Sequence, residues 1–260
     1  MKSILPSQEA PKAPYENLSV SNPKRSFCPN CLAKLRWWHN IPVLSWLMLG
    51  GKCAFCKTSI PVRYPIIELF TGLTALICFQ QFGINPTGIL LFVFCCMLIV
   101  ITVIDYDYYI IPNVISIPGT FIALAIGFIN HFFHVFEFPV VAGIEQSIIG
   151  LFSGSLFLFL IAEFYLRVRK IEGLGMGDVK LLALTGALLG YESSIYTVFV
   201  GSLLGSVIGV GTVIFKREKN LNYALPFGPF LAFACIIYVF ISPNAIEKTI
   251  YFFSNLLSFK

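Results

Sequence analysis

From Tyr64 onward the chain is almost continuously apolar, interrupted only by short polar stretches. Few architectures accommodate such a run. The bilayer core offers no water to hydrogen-bond backbone groups, so each spanning segment must satisfy them internally, as an α-helix does. The interruptions leave seven stretches near the ~20 residues that a helix needs to cross a ~30 Å hydrocarbon core. The expected spans are 65–84, 87–105, 114–133, 139–166, 174–191, 195–215 and 224–242. Charged residues make up only 12% of the chain, about half the share of soluble domains, and the mean hydropathy is +0.82. A secreted disulfide scaffold, a DNA-binding module and an ordinary cytosolic enzyme are excluded. The expected fold class is all-α, a polytopic membrane helix bundle of about seven spans.

Residues 1–63 differ in kind. They carry nine Lys/Arg and no apolar run long enough to span. The reading divides the chain into a polar tail (1–27), a polar region containing four cysteines (28–63), the membrane bundle (64–242) and an interfacial C-terminal segment (243–260). No basic segment followed by an apolar one marks a signal peptide. With residues 1–63 cytoplasmic, the inside segments 1–63, 106–113, 167–180 and 216–223 hold 16 of the 18 Lys/Arg, leaving Lys248 and Lys260 outside. This bias fixes the expected orientation in a bacterial cytoplasmic membrane. It also explains the net charge of +5 as topology, with no nucleic-acid partner. The stretch 174–191 is the weakest span, because its apolar part, Val179 to Leu189, is short. A re-entrant reading would carry Lys216, Arg217 and Lys219 outside, so the spanning reading is preferred.

Cys28-Pro-Asn-Cys31 and Cys53-Ala-Phe-Cys56 form two C-x-x-C pairs with 21 residues between them. Paired knuckles at this separation are the pattern of a structural tetrahedral zinc site. A redox C-x-x-C would call for one pair on a β-α-β background, and disulfides disagree with a cytoplasmic location. The region is therefore read as a small cytoplasmic zinc unit with Cys28, Cys31, Cys53 and Cys56 as ligands. Cys78, Cys95, Cys96 and Cys235 fall inside spans as small core residues.

The chain has only three Asp, namely Asp105, Asp107 and Asp178, all at cytoplasmic ends of spans. Ionisable groups at membrane depth are costly and point to function. Asp105 lies in Ile-Asp-Tyr-Asp-Tyr-Tyr-Ile-Ile-Pro-Asn, and Asp178 follows Gly173-Leu-Gly-Met-Gly177. Topology returns both to one face, where two carboxylates can share a proton, one acting as base on water and the other as acid. Other readings stand beside this one. Asp178 can cap a helix, the glycines can serve close packing, Asp105 and Asp107 can be solvated loop residues, and an ion-coupled transporter would use the same acids.

Several ordered strings resemble one family. Gly175-Met-Gly-Asp178 matches the G-x-G-D motif of membrane aspartic peptidases, and Gly-Met-Gly-Asp-Val-Lys-Leu-Leu-Ala resembles the prepilin peptidases (type IV leader peptidases). So do the Asp105 string, Asn40-Ile-Pro-Val-Leu-Ser-Trp, Arg63-Tyr-Pro-Ile-Ile-Glu68-Leu and Pro226-Phe-Gly-Pro-Phe-Leu. The resemblance implies an aspartic endopeptidase with Asp105 and Asp178 as its catalytic pair. It implies prepilin or pseudopilin substrates of type IV pilus or type II secretion systems, cut at the cytoplasmic membrane face. In members of the two-function kind it also implies N-methylation of the new N-terminus, with S-adenosyl-L-methionine as cofactor. The family's usual hydrophobic span ahead of the cysteine region is not visible here. The alternatives are an ion-coupled transporter and a presenilin-type intramembrane peptidase.

Helix-end positions add one expectation. Asp105 lies near a helix C-terminus and Asp178 near a helix N-terminus, so Asp178 is expected to ionise more readily. Asp107 would face away from Asp105 on a continuing helix. Lys180 tunes charge or anchors at the interface. His39, beside Trp37 and Trp38, reads as a surface or membrane-interface residue, and His131 and His134 as residues of an external turn. Glu68 reads either as a contact for a basic leader or methyl donor, or as a packing group. Glu145 and Glu163 find partners within the bundle.

Overall fold

The computed structural model describes residues 26–136, 140–170, 175–216 and 226–241. The expected C-terminal interfacial segment and residues 1–25 of the expected tail lie outside the described residues. The chain divides into two compact units, residues 1–73 and 74–260.

In the first unit the two cysteine pairs fold as near copies of one another. The Cys28 N–H donates to the Ala33 carbonyl and the Leu32 N–H to the Cys28 carbonyl; the Cys53 N–H donates to the Thr58 carbonyl and the Lys57 N–H to the Cys53 carbonyl. An isolated antiparallel bridge closes each loop, Phe27 with Lys34 and Lys52 with Ser59. The residue after each second cysteine takes a left-handed conformation, Leu32 at φ 59° and Lys57 at φ 60°. A turn of 3-10 helix, Trp37–Asn40, and a short helix α1, Leu44–Met48, separate the knuckles. The Trp46 indole N–H donates to the Ile60 carbonyl at 3.1 Å and ties α1 to the second knuckle.

The seven apolar stretches fall on seven helices: α2 (Arg63–Phe82), α3 (Pro86–Tyr108), α4 (Asn113–Phe133), α5 (Ile144–Arg169), α6 (Met176–Leu189), α7 (Tyr191–Lys216) and α8 (Gly228–Phe240). Local chemistry sets their ends. Asn85 caps α3, accepting the Gly88 N–H at 2.8 Å, with Pro86 in the first turn where its missing N–H costs nothing. Tyr109, in a left-handed conformation, closes α3. Gly190, at φ 86°, is the single residue between α6 and α7, a conformation that favours glycine.

Among the described residues five helices, α2, α3, α4, α5 and α7, are long and apolar enough to cross a membrane, whereas α6 and α8, with 14 and 13 residues, are shorter. The stretch expected to span at 174–191 yields a helix of 14 residues, about 21 Å long at 1.5 Å per residue and shorter than a ~30 Å core. Packing explains how so short a helix is held. α6 contacts α4, α5, α7 and α8, and Leu181, Leu182, Leu184, Ala187, Leu188 and Leu189 are all buried. A helix apolar all round belongs in an interior.

Small residues permit the α5–α6 crossing. A Cβ on Gly186 would collide with the Gly150 carbonyl and one on Gly150 with the Gly186 carbonyl, so the two backbones touch as small-residue crossings do. The Ser194 hydroxyl donates to the Gly150 carbonyl at 3.2 Å, drawing α7 into the same contact. Gly186→Ala is therefore expected to destabilise by about 3 kcal/mol or more through overpacking. Gly211→Ala, whose Cβ would meet nothing within 4 Å, should be neutral within about 0.5 kcal/mol. Thermal unfolding followed by size exclusion in detergent separates the two.

Candidate functional site

Asp105 and Asp178 lie in the second unit and are almost fully buried, 5% and 6% exposed, whereas Asp107 is exposed. Ile111 packs against both Gly177, which precedes Asp178, and Gly228, which lies against Asp105, so the two carboxylates share one neighbourhood although 73 positions separate them. Each accepts a backbone N–H: Asp105 from Gly228, Asp178 from Gly175.

Asp178 is the third residue of α6, with Gly175 as the N-cap. Its carboxylate reaches back to the N-cap N–H, as the acidic partner of a capping box does. Asp178 is thus not the N-cap itself, but its carboxylate satisfies a donor at the start of α6, and this contact orients it. Asp105 lies in the last turn of α3, where its own carbonyl accepts the Tyr109 N–H at 2.8 Å. Its side chain meets the first residue of α8. The expectation that Asp178 ionises more readily sets a helix C-terminus at Asp105 against a helix N-terminus at Asp178. The start of α8 also lies at Asp105, which narrows that contrast.

Two glycines and one isoleucine set how closely these groups approach. A Cβ on Gly228 would lie 2.5 Å from Asp105 Oδ2 and 3.1 Å from Ile111 Cδ1. A Cβ on Gly177 would lie 2.9 Å from Ile111 Cβ. Ile111, itself buried, therefore packs between the glycine preceding Asp178 and the glycine that donates to Asp105. Nearby, Lys180 Nζ donates to Asn113 Oδ1 at 2.7 Å, linking the start of α4 to the first turn of α6. The motif strings contain Gly228, in Pro226-Phe-Gly-Pro-Phe-Leu, and Ile111 and Asn113, at the end of the Asp105 string, but the sequence alone gives none of the three a role. The available signal was the Gly-Pro pair opening an apolar helix, a position where a backbone can come close.

Cys28, Cys31, Cys53 and Cys56 converge, with all four sulfurs within 4.8 Å of one another. The Cys28 and Cys56 sulfurs are 3.8 Å apart, matching the edge of about 3.8 Å in a tetrahedron with metal–sulfur bonds of about 2.3 Å. The cluster can hold a metal ion. Its surroundings lower two of the thiols, Cys56 and Cys28, and raise Cys31. The Thr58 hydroxyl, the Thr58 N–H and the Asn30 amide bring the Cys56 thiol down to about 5. The Cys31 N–H lowers Cys28, with desolvation opposing it. At Cys31 the Ala33 N–H acts downward, but desolvation and the neighbouring Cys56 and Cys28 sulfurs outweigh it and push the thiol to about 11. Asn30 of the first knuckle also donates to Thr58 Oγ1 of the second at 2.6 Å.

The remaining candidates resolve locally. Glu68 Oε2 accepts the Val43 N–H at 2.7 Å, where Val43 has φ 61°. It thereby holds the turn into α1 and joins two of the strings read as motifs. His39 is half-buried, edge-on to Trp38 and Phe55, and not simply a surface group. His131 and His134 lie at the exposed end of α4. Glu163 pairs with Arg167 one turn away at 2.8 Å. Cys78, Cys95 and Cys235 are fully buried and Cys96 partly so.

Known families and curated proteins match the chain. Residues 7–82 match the bacterial peptidase A24 N-terminal domain and residues 92–210 the type IV leader peptidase family. The curated relatives that match include several named prepilin leader peptidase/N-methyltransferase. The one from Burkholderia pseudomallei is 35% identical over 208 residues, covering 80% of this chain and 64% of that protein. The one from Pseudomonas aeruginosa is 34% identical over 233 residues, covering 90% and 76%. The one from Neisseria gonorrhoeae is 34% identical over 209 residues, covering 79% and 67%. The chain thus spans 64% of the length of the Burkholderia relative. No solved structure matches the chain. With two adjoining family matches and a third of its residues shared with relatives along most of their length, the chain belongs to the type IV leader peptidase family.

Proposed function

We propose that the chain is a membrane aspartic endopeptidase that removes the leader from type IV prepilins or pseudopilins, with Asp105 and Asp178 as its catalytic pair. The observation that carries this reading is the convergence of two carboxylates, each held by one backbone N–H, which are the only buried acids among the described residues. Two such groups crowd one another and favour a state that holds one proton between them. The ionised member takes a proton from water as the water attacks the scissile carbonyl, and the protonated member supports the developing oxyanion and then protonates the leaving amine. Backbone donors from Gly228 and Gly175 hold the carboxylates in place without adding a competing charge. The basic bias of residues 1–63 and 167–180 puts both aspartates at the cytoplasmic face, where the basic leader of a membrane-anchored substrate would lie. The bacterial inner membrane is the location that follows.

The tetracysteine cluster is read as a structural zinc site. A bound zinc ion would crosslink the two knuckles, and four thiolates would leave it no open position for chemistry. N-methylation of the new N-terminus with S-adenosyl-L-methionine is proposed from the relatives' names. Among the described residues no glycine-rich nucleotide loop marks where a methyl donor binds.

Purified protein in lipid, incubated with a prepilin and S-adenosyl-L-methionine, is expected to release the leader, with a methyl mass shift on the new N-terminus by mass spectrometry. Coupled ion flux without cleavage would favour the transporter reading. Gly228→Ala sharpens the test, since its methyl group would displace the Asp105 carboxylate. A misplacement of this size is expected to lower kcat about 10²-fold, with little change in KM.

A further inference from the structure

We propose that the tetracysteine unit rests on the anionic surface of the bilayer through Trp37, Trp38 and the outer face of α1. The sequence first suggests it. Leu44, Leu47 and Met48 follow i, i+3, i+4 spacing, which places them on one face of a helix. In a soluble unit that face would pack inward. Here it points out: Leu44 is 57%, Leu47 61% and Met48 85% exposed, while Trp46 turns the other way to reach Ile60. Trp37, 75% exposed, stands edge-on to Trp38, and the ring series continues through His39 to the exposed Phe55.

Charge complementarity selects the occupant. Lys34, Arg36, Lys52 and Lys57 are all exposed, Arg36 lies 5.1 Å from the Trp38 ring centre, and Glu68 is the only acidic residue between Ser26 and Leu73. Exposed Trp and Leu interleaved with Lys and Arg form an amphipathic interfacial surface, in which apolar groups enter the headgroup boundary and basic groups meet anionic lipid. The chain continues directly from the second knuckle into α2, the first helix apolar enough to span. This tether keeps the basic surface within reach of the headgroups. The proposal does not depend on the peptidase reading.

The chain supplies its own probe, because its three tryptophans, Trp37, Trp38 and Trp46, all lie in this unit. The full protein is placed in lipid nanodiscs containing phosphatidylglycerol brominated near the headgroup end of its acyl chains, and tryptophan emission is compared with unbrominated discs. Interfacial burial of about 5–10 Å predicts a roughly two-fold loss of emission. The loss should weaken in phosphatidylcholine discs and at high salt. The double substitution Leu47→Glu with Met48→Glu, at exposed positions and with metal content checked as unchanged, should remove the quenching and raise quenching by acrylamide. Tryptophans open to acrylamide and blind to the brominated lipid in anionic discs would overturn the proposal. Shielding from both quenchers would overturn it as well, since a protein surface would then cover the patch.

Discussion

Replacing any one of Cys28, Cys31, Cys53 or Cys56 by serine, or stripping metal with a strong chelator, is expected to unfold residues 26–62 while the membrane helices stay intact. The reason lies in what this segment lacks. Between Ser26 and Val62 the only buried side chains are two of the cysteines themselves, Cys28 and Cys53, so no hydrophobic core holds it together. Structural zinc in small peptides contributes about 10–16 kcal/mol of apparent binding free energy, which acts as folding free energy. Few other single changes in the chain approach that scale. Tryptophan emission reports the local loss and helical circular dichroism the retained bundle. Stoichiometric metal should accompany the folded form. Protons compete with metal for the sulfurs, so occupancy is retained at neutral pH and lost as pH falls. A segment that keeps its emission and metal-free fold after chelation would contradict the assignment.

Much of this architecture is legible in the sequence because membrane insertion imposes a coarse rule. Each expected stretch of about 20 residues holds one of α2–α8, and among the described residues five of these are long and apolar enough to span. What the rule misses is α6, because a length criterion cannot register a helix that its neighbours bury on all sides. The Gly150–Gly186 contact that admits it has no periodic trace in the sequence. The cysteine spacing forecasts the cluster, but not that Leu32 and Lys57 take left-handed backbone in both knuckles, where no glycine marks the turn. At the candidate site the two aspartates stand out by their rarity and by the motif strings they occupy. Their positioning does not, because Gly228, Ile111 and Gly177 act through steric absence and close approach, which only assembled neighbours reveal. Glu68 illustrates the converse. It looked like a candidate ligand contact by charge, and its carboxylate holds the Val43 N–H.

The second large effect concerns Asp105 and Asp178. If the two share one proton and act in a single step, removing either destroys the function of both. Asparagine preserves shape and can still accept the Gly228 or Gly175 N–H, so loss of activity would report the missing carboxylate and not a collapsed site. Each single substitution is expected to lower the rate of leader release by at least about 10³-fold. The double substitution should then be no worse than either alone, since groups that act as a unit are grossly non-additive. Asp107→Asn, on the exposed side of α3, should remain within about threefold of the parent enzyme, as surface substitutions generally do.

The decisive measurement is this cycle: rates of prepilin cleavage in lipid for the parent chain, Asp105→Asn, Asp178→Asn and the double variant, each confirmed folded by thermal unfolding. Two inactive single variants, matched by an equally inactive double, is the predicted result. A folded single variant that retains cleavage within tenfold of the parent, or a double variant whose loss is the product of two modest single losses, would contradict the paired-carboxylate site.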